Sequence, residues 1–358
     1  MATTRRPPAK PAFRADAGGY AAYSAAKALW WTANQAAARV VVRPDLRRGA
    51  ATPEPRAFEP STPPPDRALL RRRWLEAFDK DRADIAAGLY PPTEEAVVDP
   101  RVAWRTSADF LADAREVEAR RRRDAGTEAR AEASSTAYPP YYRQNFHFQS
   151  GGWFTRESAA RYEAQVEALF SGAAGPMRRR ALSLLARHWR GRDQRGARVL
   201  DLACGSGAFL KDLRGAFPRA SVFGLDLSHA YLAEAHVASG AATVQANAER
   251  LPFADASLDA VTCIYLFHEL PPRVRSVVAA EIARVLKPGG VLAFADSLQA
   301  VDEPGLARLL EAFPAFFHEP FYESYQATDL PDLFGAAGLA PVDADEAFLT
   351  KALLFERA

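Results

Sequence analysis

The chain has 358 residues, 48% of them hydrophobic and 25% charged, with 26 prolines, two cysteines and a formal net charge of +2. That apolar fraction is ordinary for a globular protein, and the length suits two domains or one domain with a long extension. Cys204 and Cys263 are too few for a disulfide scaffold or a four-cysteine metal site; a reducing compartment is expected, and no metal site is. A membrane span needs about 18 or more apolar residues in a row, and the most apolar stretch, Tyr20 to Val42, is interrupted by Lys27, Asn34 and Arg39.

The charge is unevenly placed. From Gly196 onward there are 12 Lys/Arg against 21 Asp/Glu, which leaves 34 basic and 23 acidic residues before it. A basic half reads as a contact for nucleic acid or a membrane surface, or as a helical arm, solvated or docked on the acidic half. The arginine clusters lie inside helical patterns beside acids, which favours the arm.

Residues 1–65 hold ten prolines and little periodicity, so most of this stretch is expected to be poorly ordered. Its first 44 residues carry seven Lys/Arg and one acid, Asp16. That resembles an organelle transit peptide, so plastid stroma or mitochondrial matrix stands beside cytoplasm as the expected compartment. Tyr20, Tyr23, Leu29, Trp30 and Trp31 suggest one short amphipathic helix, packed on the protein or lying on a membrane surface.

Residues 66–137 read as a helical extension. One helix is predicted from Asp66 to Tyr90, stopped by Pro91-Pro92; a second runs from Ser107 to about Ala131, with Ser107 as N-cap and Arg120 to Arg123 on an exposed turn. A linker is expected at 134–140. Residues 138–195 read as a cap: an aromatic- and amide-rich segment, Tyr141 to Trp153, then helices over Ser158–Phe170 and Gly175–Arg190. From 196 to 358 short β-rich runs alternate with helices, which predicts an α/β fold with a mostly parallel sheet and helices on both faces.

"ARVLDLACGSGAFLKDLRGAF" places a buried strand, a small-residue turn and a helix from about Ala208. Gly205 and Gly207 let the backbone approach a ligand, and the helix N-terminus beyond presents free N–H groups. Nineteen residues after Gly207 the next strand ends in Asp226, an acid placed to accept hydrogen bonds from ribose hydroxyls. This describes a nucleoside-containing cofactor in a Rossmann-like fold. A dinucleotide fits less well: Leu210 stands where the third glycine of G-x-G-x-x-G belongs, and Asp201 sits inside the preceding strand.

"VLDLACGSG" resembles the first motif of the class I S-adenosylmethionine-dependent methyltransferases, with Ala203 in place of the first glycine. "QANAERLPFADASLDAV" is similar to that family's adenine loop and fourth strand, and "EIARVLKPGGVLAFAD" to its late helix, Lys-Pro-Gly-Gly turn and fifth strand. In that turn Pro288 stops the helix while Gly289 and Gly290 supply positive φ. The tail from Leu333 is similar to the closing helix and antiparallel strand pair. The resemblance covers about 196–358, and a nucleotide-binding dehydrogenase is its competitor. It implies a seven-stranded Rossmann-like sheet and S-adenosylmethionine as cofactor. The carried-over contacts are Asp201, Ala203, Gly205, Gly207, Asp226, Leu227, Asn247 and Ala248, with Asn247 offering its amide to adenine. "ERLPFADASLDAV" looks most like the branch acting on small molecules, including the quinone and sterol methyltransferases, with 141–180 as its cap.

"LFHELPP" leaves the fourth strand at the edge where open α/β sheets bind ligands, so His268 and Glu269 are the candidates for acceptor contact or proton removal. Alternatively His268 packs on the cofactor and Glu269 caps a helix. The Asn/Asp-Pro-Pro-aromatic run of enzymes methylating exocyclic base nitrogens is missing here, so DNA is not an expected partner; Cys263 reads as a small buried residue. Phe313, Phe316, Phe317, Phe321, Tyr322 and Tyr325 form an aromatic insertion. Of these Phe317 and Tyr322, with Tyr141, Tyr142 and His147 of the cap, are candidates for binding a small aromatic or lipophilic acceptor, which the resemblance implies is methylated on oxygen or carbon. The rivals are an RNA methyltransferase gripping phosphates with its basic half, and a non-catalytic cofactor-binding scaffold.

Overall fold

A seven-stranded sheet runs in the order β3-β2-β1-β4-β5-β7-β6 in the computed structural model, which describes residues 17–47, 58–92, 100–133 and 138–358. The strands are β1 (Arg198–Leu202), β2 (Ser221–Asp226), β3 (Ala242–Gln245), β4 (Leu258–Ile264), β5 (Leu286–Ser297), β6 (Leu339–Ala347) and β7 (Thr350–Arg357). β1 to β5 are mutually parallel, and β7 runs antiparallel between β5 and β6. The inner strands are almost wholly apolar because helices cover both faces; Val199, Leu200, Val261 and Leu292 are fully buried.

Eleven α-helices accompany the strands among the described residues. α1 (Ala17–Arg47), α2 (Arg67–Ala86), α3 (Pro100–Arg123), α4 (Arg156–Leu169) and α5 (Ala174–His188) precede the sheet. α6 (Ala208–Ala216), α7 (His229–Ser239), α8 (Pro272–Val285), α9 (Ala307–Phe316), α10 (Tyr322–Gln326) and α11 (Leu330–Gly335) alternate with it. None of the described helices is long and apolar enough to cross a membrane.

The proline-rich N-terminus departs from expectation. α1 is 31 residues long rather than one short helix, and its only proline, Pro44, lies near its C-terminal end. Tertiary contacts hold it: Tyr20 donates to Asp81, Lys27 pairs with Glu167 at 2.8 Å, and Trp31 meets Phe110 edge-on. Residues 1–16, on which the transit-peptide resemblance partly rests, lie outside the described residues, as do 134–137 of the expected linker. Asp66 caps α2 by accepting from Ala68 N. Ser107 is not a cap: α3 begins at Pro100, a residue suited to a first helical position because the N–H it lacks would find no partner there. Arg120 to Arg123 end that helix and are tied to Glu116, Glu118 and Glu128. In the Lys-Pro-Gly-Gly segment only Gly289 has positive φ; Gly290 is needed for space, since a Cβ there would lie 2.8 Å from Lys287 O.

The uneven charge becomes docking. α5 is buried along most of its length, including three consecutive arginines. Arg178 meets Glu163 at 2.8 Å, Arg179 reaches Asp81 (2.6 Å) and Asp212 (3.1 Å), and Arg180 reaches Asp84 (2.6 Å) and Asp345 (3.2 Å). Lys80 of α2 also pairs with Asp345, at 2.9 Å. These basic residues thus join the two halves, pairing with Glu163, Asp81 and Asp84 of the helical half and with Asp212 and Asp345 of the sheet half.

Asp81 is the hub, fully buried and accepting from Tyr20, Tyr90 and Arg179. Burial pushes its carboxyl up, but the Arg179 charge and hydrogen bonds with Tyr20 outweigh that and hold it below the ordinary carboxylate range. A depressed folded-state pKa stabilises above the unfolded value of about 4 and loses that stabilisation as pH falls through the folded value. Asp81→Asn should cost about 3 kcal/mol at neutral pH by removing the buried charge that Tyr20, Tyr90 and Arg179 share. Denaturant midpoints should show a deficit that narrows in acid; an unchanged midpoint at pH 7 contradicts the hub role.

Candidate active site

The strand order reverses between β1 and β4, and a crevice of about 980 Å³ opens beyond their carboxyl ends. Asp201, Ala203, Gly205, Asp226, Leu227, Asn247 and Ala248 all line it, so the expected residues converge with one exception. Gly207 does not face the space. It caps α6 at φ +86°, and a Cβ there would lie 2.6 Å from Ala235 Cα, so its glycine serves the packing of α6 on α7. Gly205, at φ +54°, has open space where a Cβ would stand. Ala203 adopts φ +57°, so the turn keeps its left-handed geometry without the glycine usual at that place, at a cost of about 1 kcal/mol or more.

Asp226 accepts from Gly205 N at 2.9 Å and from Ser228 N at 2.8 Å, fastening the end of β2 to the glycine turn. Burial raises its carboxyl pKa against those bonds. Asp201 accepts from Thr262 Oγ1 at 2.7 Å, while its Oδ2 is buried with no hydrogen bond; burial pushes its carboxyl up to about 7. Asn247 is engaged within its own loop: its Oδ1 accepts from Glu249 N at 2.9 Å and its Nδ2 donates to Glu249 Oε1 at 3.1 Å. Tyr141 OH donates to the same Glu249 oxygen at 2.7 Å, which ties the cap to this loop.

A second, apolar chamber adjoins the crevice. His147, His268, Phe313 and Tyr322 line it, while Tyr162, Tyr265 and Glu269 line both spaces. The candidate acceptor residues therefore divide. His147 and Tyr322 belong to the chamber, Tyr141 and Tyr142 to the crevice, and Phe317 stands behind, edge-on to His147. The aromatic-rich cap segment reaches across both spaces, so sequence proximity between Tyr142 and His147 did not mean a shared cavity. His268 faces the chamber only, so it does not pack against the crevice, and Glu269 lies in a short turn ahead of α8, which Pro271 caps.

His268 Nδ1 is 2.6 Å from Asp296 Oδ1, and Phe267 N donates to Asp296 Oδ2 at 2.9 Å. Burial lowers the imidazole pKa, but Asp296 and the neighbouring acids outweigh it and carry it up to about 9. Burial raises the Glu269 carboxyl. Sequence reasoning missed Tyr162, Tyr265, Asp296 and Glu319. Only Asp296 left a signal: like Asp226, it is an acid at the carboxyl end of an apolar strand.

Residues 200–294 match the family described as a methyltransferase domain. The chain is 37% identical over 125 residues to a fatty-acid O-methyltransferase of Mycolicibacterium smegmatis, covering 34% of this chain and 45% of that protein. It is 34% identical over 170 residues to a ubiquinone/menaquinone biosynthesis C-methyltransferase of Desulfotalea psychrophila, covering 42% and 68% respectively. Further curated methyltransferases match over less than half of their own length. A crystal structure of a magnesium protoporphyrin IX methyltransferase from Synechocystis with bound SAH aligns at TM-score 0.41 and 17% identity, over 55% of this chain and 88% of that one. With its ordered motifs and its sheet order, the chain belongs to the class I S-adenosylmethionine-dependent methyltransferases, and S-adenosylmethionine is its cofactor.

Proposed function

We propose that this chain transfers a methyl group from S-adenosylmethionine to an oxygen or carbon of a small lipophilic or aromatic acceptor. The observation that carries this reading is the shared wall: Tyr162, Tyr265 and Glu269 each face both the acid-lined crevice and the apolar chamber. Two ligands bound in the two spaces would meet there. The similarity to a fatty-acid O-methyltransferase and a quinone C-methyltransferase supports an apolar acceptor, as do Phe313 and Tyr322 in the chamber wall.

The crevice residues fit the cofactor. Asp201 holds a buried oxygen without a partner, Gly205 leaves space beside the backbone, and two carboxylates suit a cationic amino-acid end better than a phosphate. When bound, the cofactor supplies a methyl group activated on a sulfonium. Asp226 would hold the ribose, because each of its oxygens keeps a lone pair beyond its backbone bond. Ala203 and Gly205 would border the methionine end, and Leu227, Asn247 and Ala248 the adenine. Alignment in a dry junction supplies much of the rate of such a transfer. Where the acceptor loses a proton, Glu269 is the acid placed to take it, since it reaches both spaces, and His268 would bound the acceptor's reacting end.

Incubating the protein with methyl-labelled cofactor and a panel of fatty acids, quinols and phenols should move label into a solvent-extractable product. Label found in RNA, or in nothing at all, overturns the reading.

Asp226→Asn should weaken cofactor binding ten- to 150-fold, about 1.5–3 kcal/mol, in calorimetry, and an unchanged affinity would displace the ribose assignment. Burial carries the Asp201 carboxyl up to about 7, with Asp226 adding to the rise and Thr262 and Arg178 opposing it. A cation beside it favours its ionised form, so binding S-adenosylmethionine should release a proton and tighten as pH rises from 6 to 8. Asp201→Asn should remove that slope; the same slope in both proteins would place the cationic end elsewhere.

A further inference from the structure

Three segments that are distant in sequence bring nitrogen and carboxylate donors together beside the apolar chamber, whose wall includes His147 and His268. His147 comes from the cap segment ahead of α4, His268 from the turn after β4, and Glu319 from the loop between α9 and α10. One donor atom from each lies within 4.8 Å of the other two. His147 Nε2 and Glu319 Oε1 are 2.6 Å apart, yet neither Glu319 oxygen makes a hydrogen bond, although the side chain is wholly buried. The carboxylate therefore has the His147 imidazole as its ion-pair partner but no hydrogen bond of good geometry, and a bound metal ion would meet both groups in an apolar, aromatic surround.

The second observation concerns His268. Its Nδ1 is held 2.6 Å from Asp296, whose other oxygen is fixed by Phe267 N, and that leaves Nε2 on the side of the cluster. A carboxylate on the far nitrogen of an imidazole is how metal-binding histidines are oriented. His147 is held as firmly: it adopts φ +56°, and its N–H donates to His318 O at 3.2 Å. Its ring is packed edge-on by Trp153, Phe313 and Phe317.

We propose that His147, His268 and Glu319 form a binding site for one divalent transition-metal ion, with its open coordination positions toward the acceptor chamber. Two imidazoles and one carboxylate suit borderline ions such as Zn²⁺, Co²⁺ or Fe²⁺ rather than Mg²⁺ or Ca²⁺. Bonds of about 2.1 Å ask for donor separations of roughly 3.0–3.4 Å, which lies inside the observed range, so small side-chain shifts complete the set. Three protein donors leave positions for an oxygen of the acceptor. A hydroxyl or carboxyl bound there would pass its proton to the ionised Glu269 carboxylate, and its oxygen would then form a bond to the methyl carbon as the carbon–sulfur bond breaks and S-adenosylhomocysteine leaves. This last step rests on the proposed methyl transfer; the metal site itself does not.

The test uses the full-length chain without an affinity tag, stripped with a chelator, then titrated with Co²⁺ by visible absorption and with Zn²⁺ by calorimetry. One ion per chain is expected. Glu319→Gln and His147→Gln should weaken binding at least tenfold, and Asp296→Asn tenfold to 100-fold. Melting curves of the metal-free proteins check folding, and Zn²⁺ should raise the melting temperature of the unsubstituted chain but not of Glu319→Gln. Equal Co²⁺ affinity in the unsubstituted chain and both ligand variants, or no binding by the unsubstituted chain, overturns the site. S-adenosylmethionine binding by the stripped protein is measured separately: its loss would count against the proposed function, and its retention without metal binding against this site alone.

Discussion

Carboxylates removed from water at one edge of an apolar sheet are the constraint around which the molecule is arranged. Asp201, Asp226 and Asp296 stand at or near the carboxyl ends of β1, β2 and β5, where the strand order reverses and two cavities open. Asp201 and Asp296 are buried outright. Each acid is positioned by a different device: a threonine hydroxyl from the neighbouring strand, backbone N–H groups of the glycine turn, and an imidazole with the backbone of its own turn. Those devices fix the acids without neutralising the first two, so the crevice favours a positively charged guest.

The helical arm answers the same electrostatic problem on the opposite side. Arg179 and Arg180 of α5 pair with acids of α2 on one side and with Asp212 of α6 and Asp345 of β6 on the other, bridging the arm to the sheet half. The arm therefore anchors α4 and the cap segment that roofs both cavities. Tyr141 bonded to Glu249, and Trp153 packed on Tyr231 of α7, carry that anchoring to the crevice itself.

The sheet half was legible because its information is local. Strand, turn, helix and the acid after the next strand follow one another within 29 residues from Arg198 to Asp226, so spacing alone placed them. What stayed hidden is long-range. Nothing in the sequence around Glu319 or Tyr162 says that these side chains will meet His147 or Glu269. Local rules also lost where packing decided: Ser107 is a good cap in isolation but lies inside α3, and Gly207 was a ligand-facing glycine by pattern but answers to Ala235. The proline count of the first 65 residues concealed α1, whose stability comes from partners 61 to 140 residues away.

The crevice between β1 and β4, as proposed, accepts a cationic nucleoside and refuses a pyrophosphate. The most direct measurement is competition calorimetry at pH 7.5, in which the protein is saturated with S-adenosylhomocysteine and challenged with NAD⁺, then the reverse. NAD⁺ should produce no heat and displace nothing, while S-adenosylmethionine should exchange fully with the bound S-adenosylhomocysteine. Displacement of S-adenosylhomocysteine by NAD⁺ would contradict it.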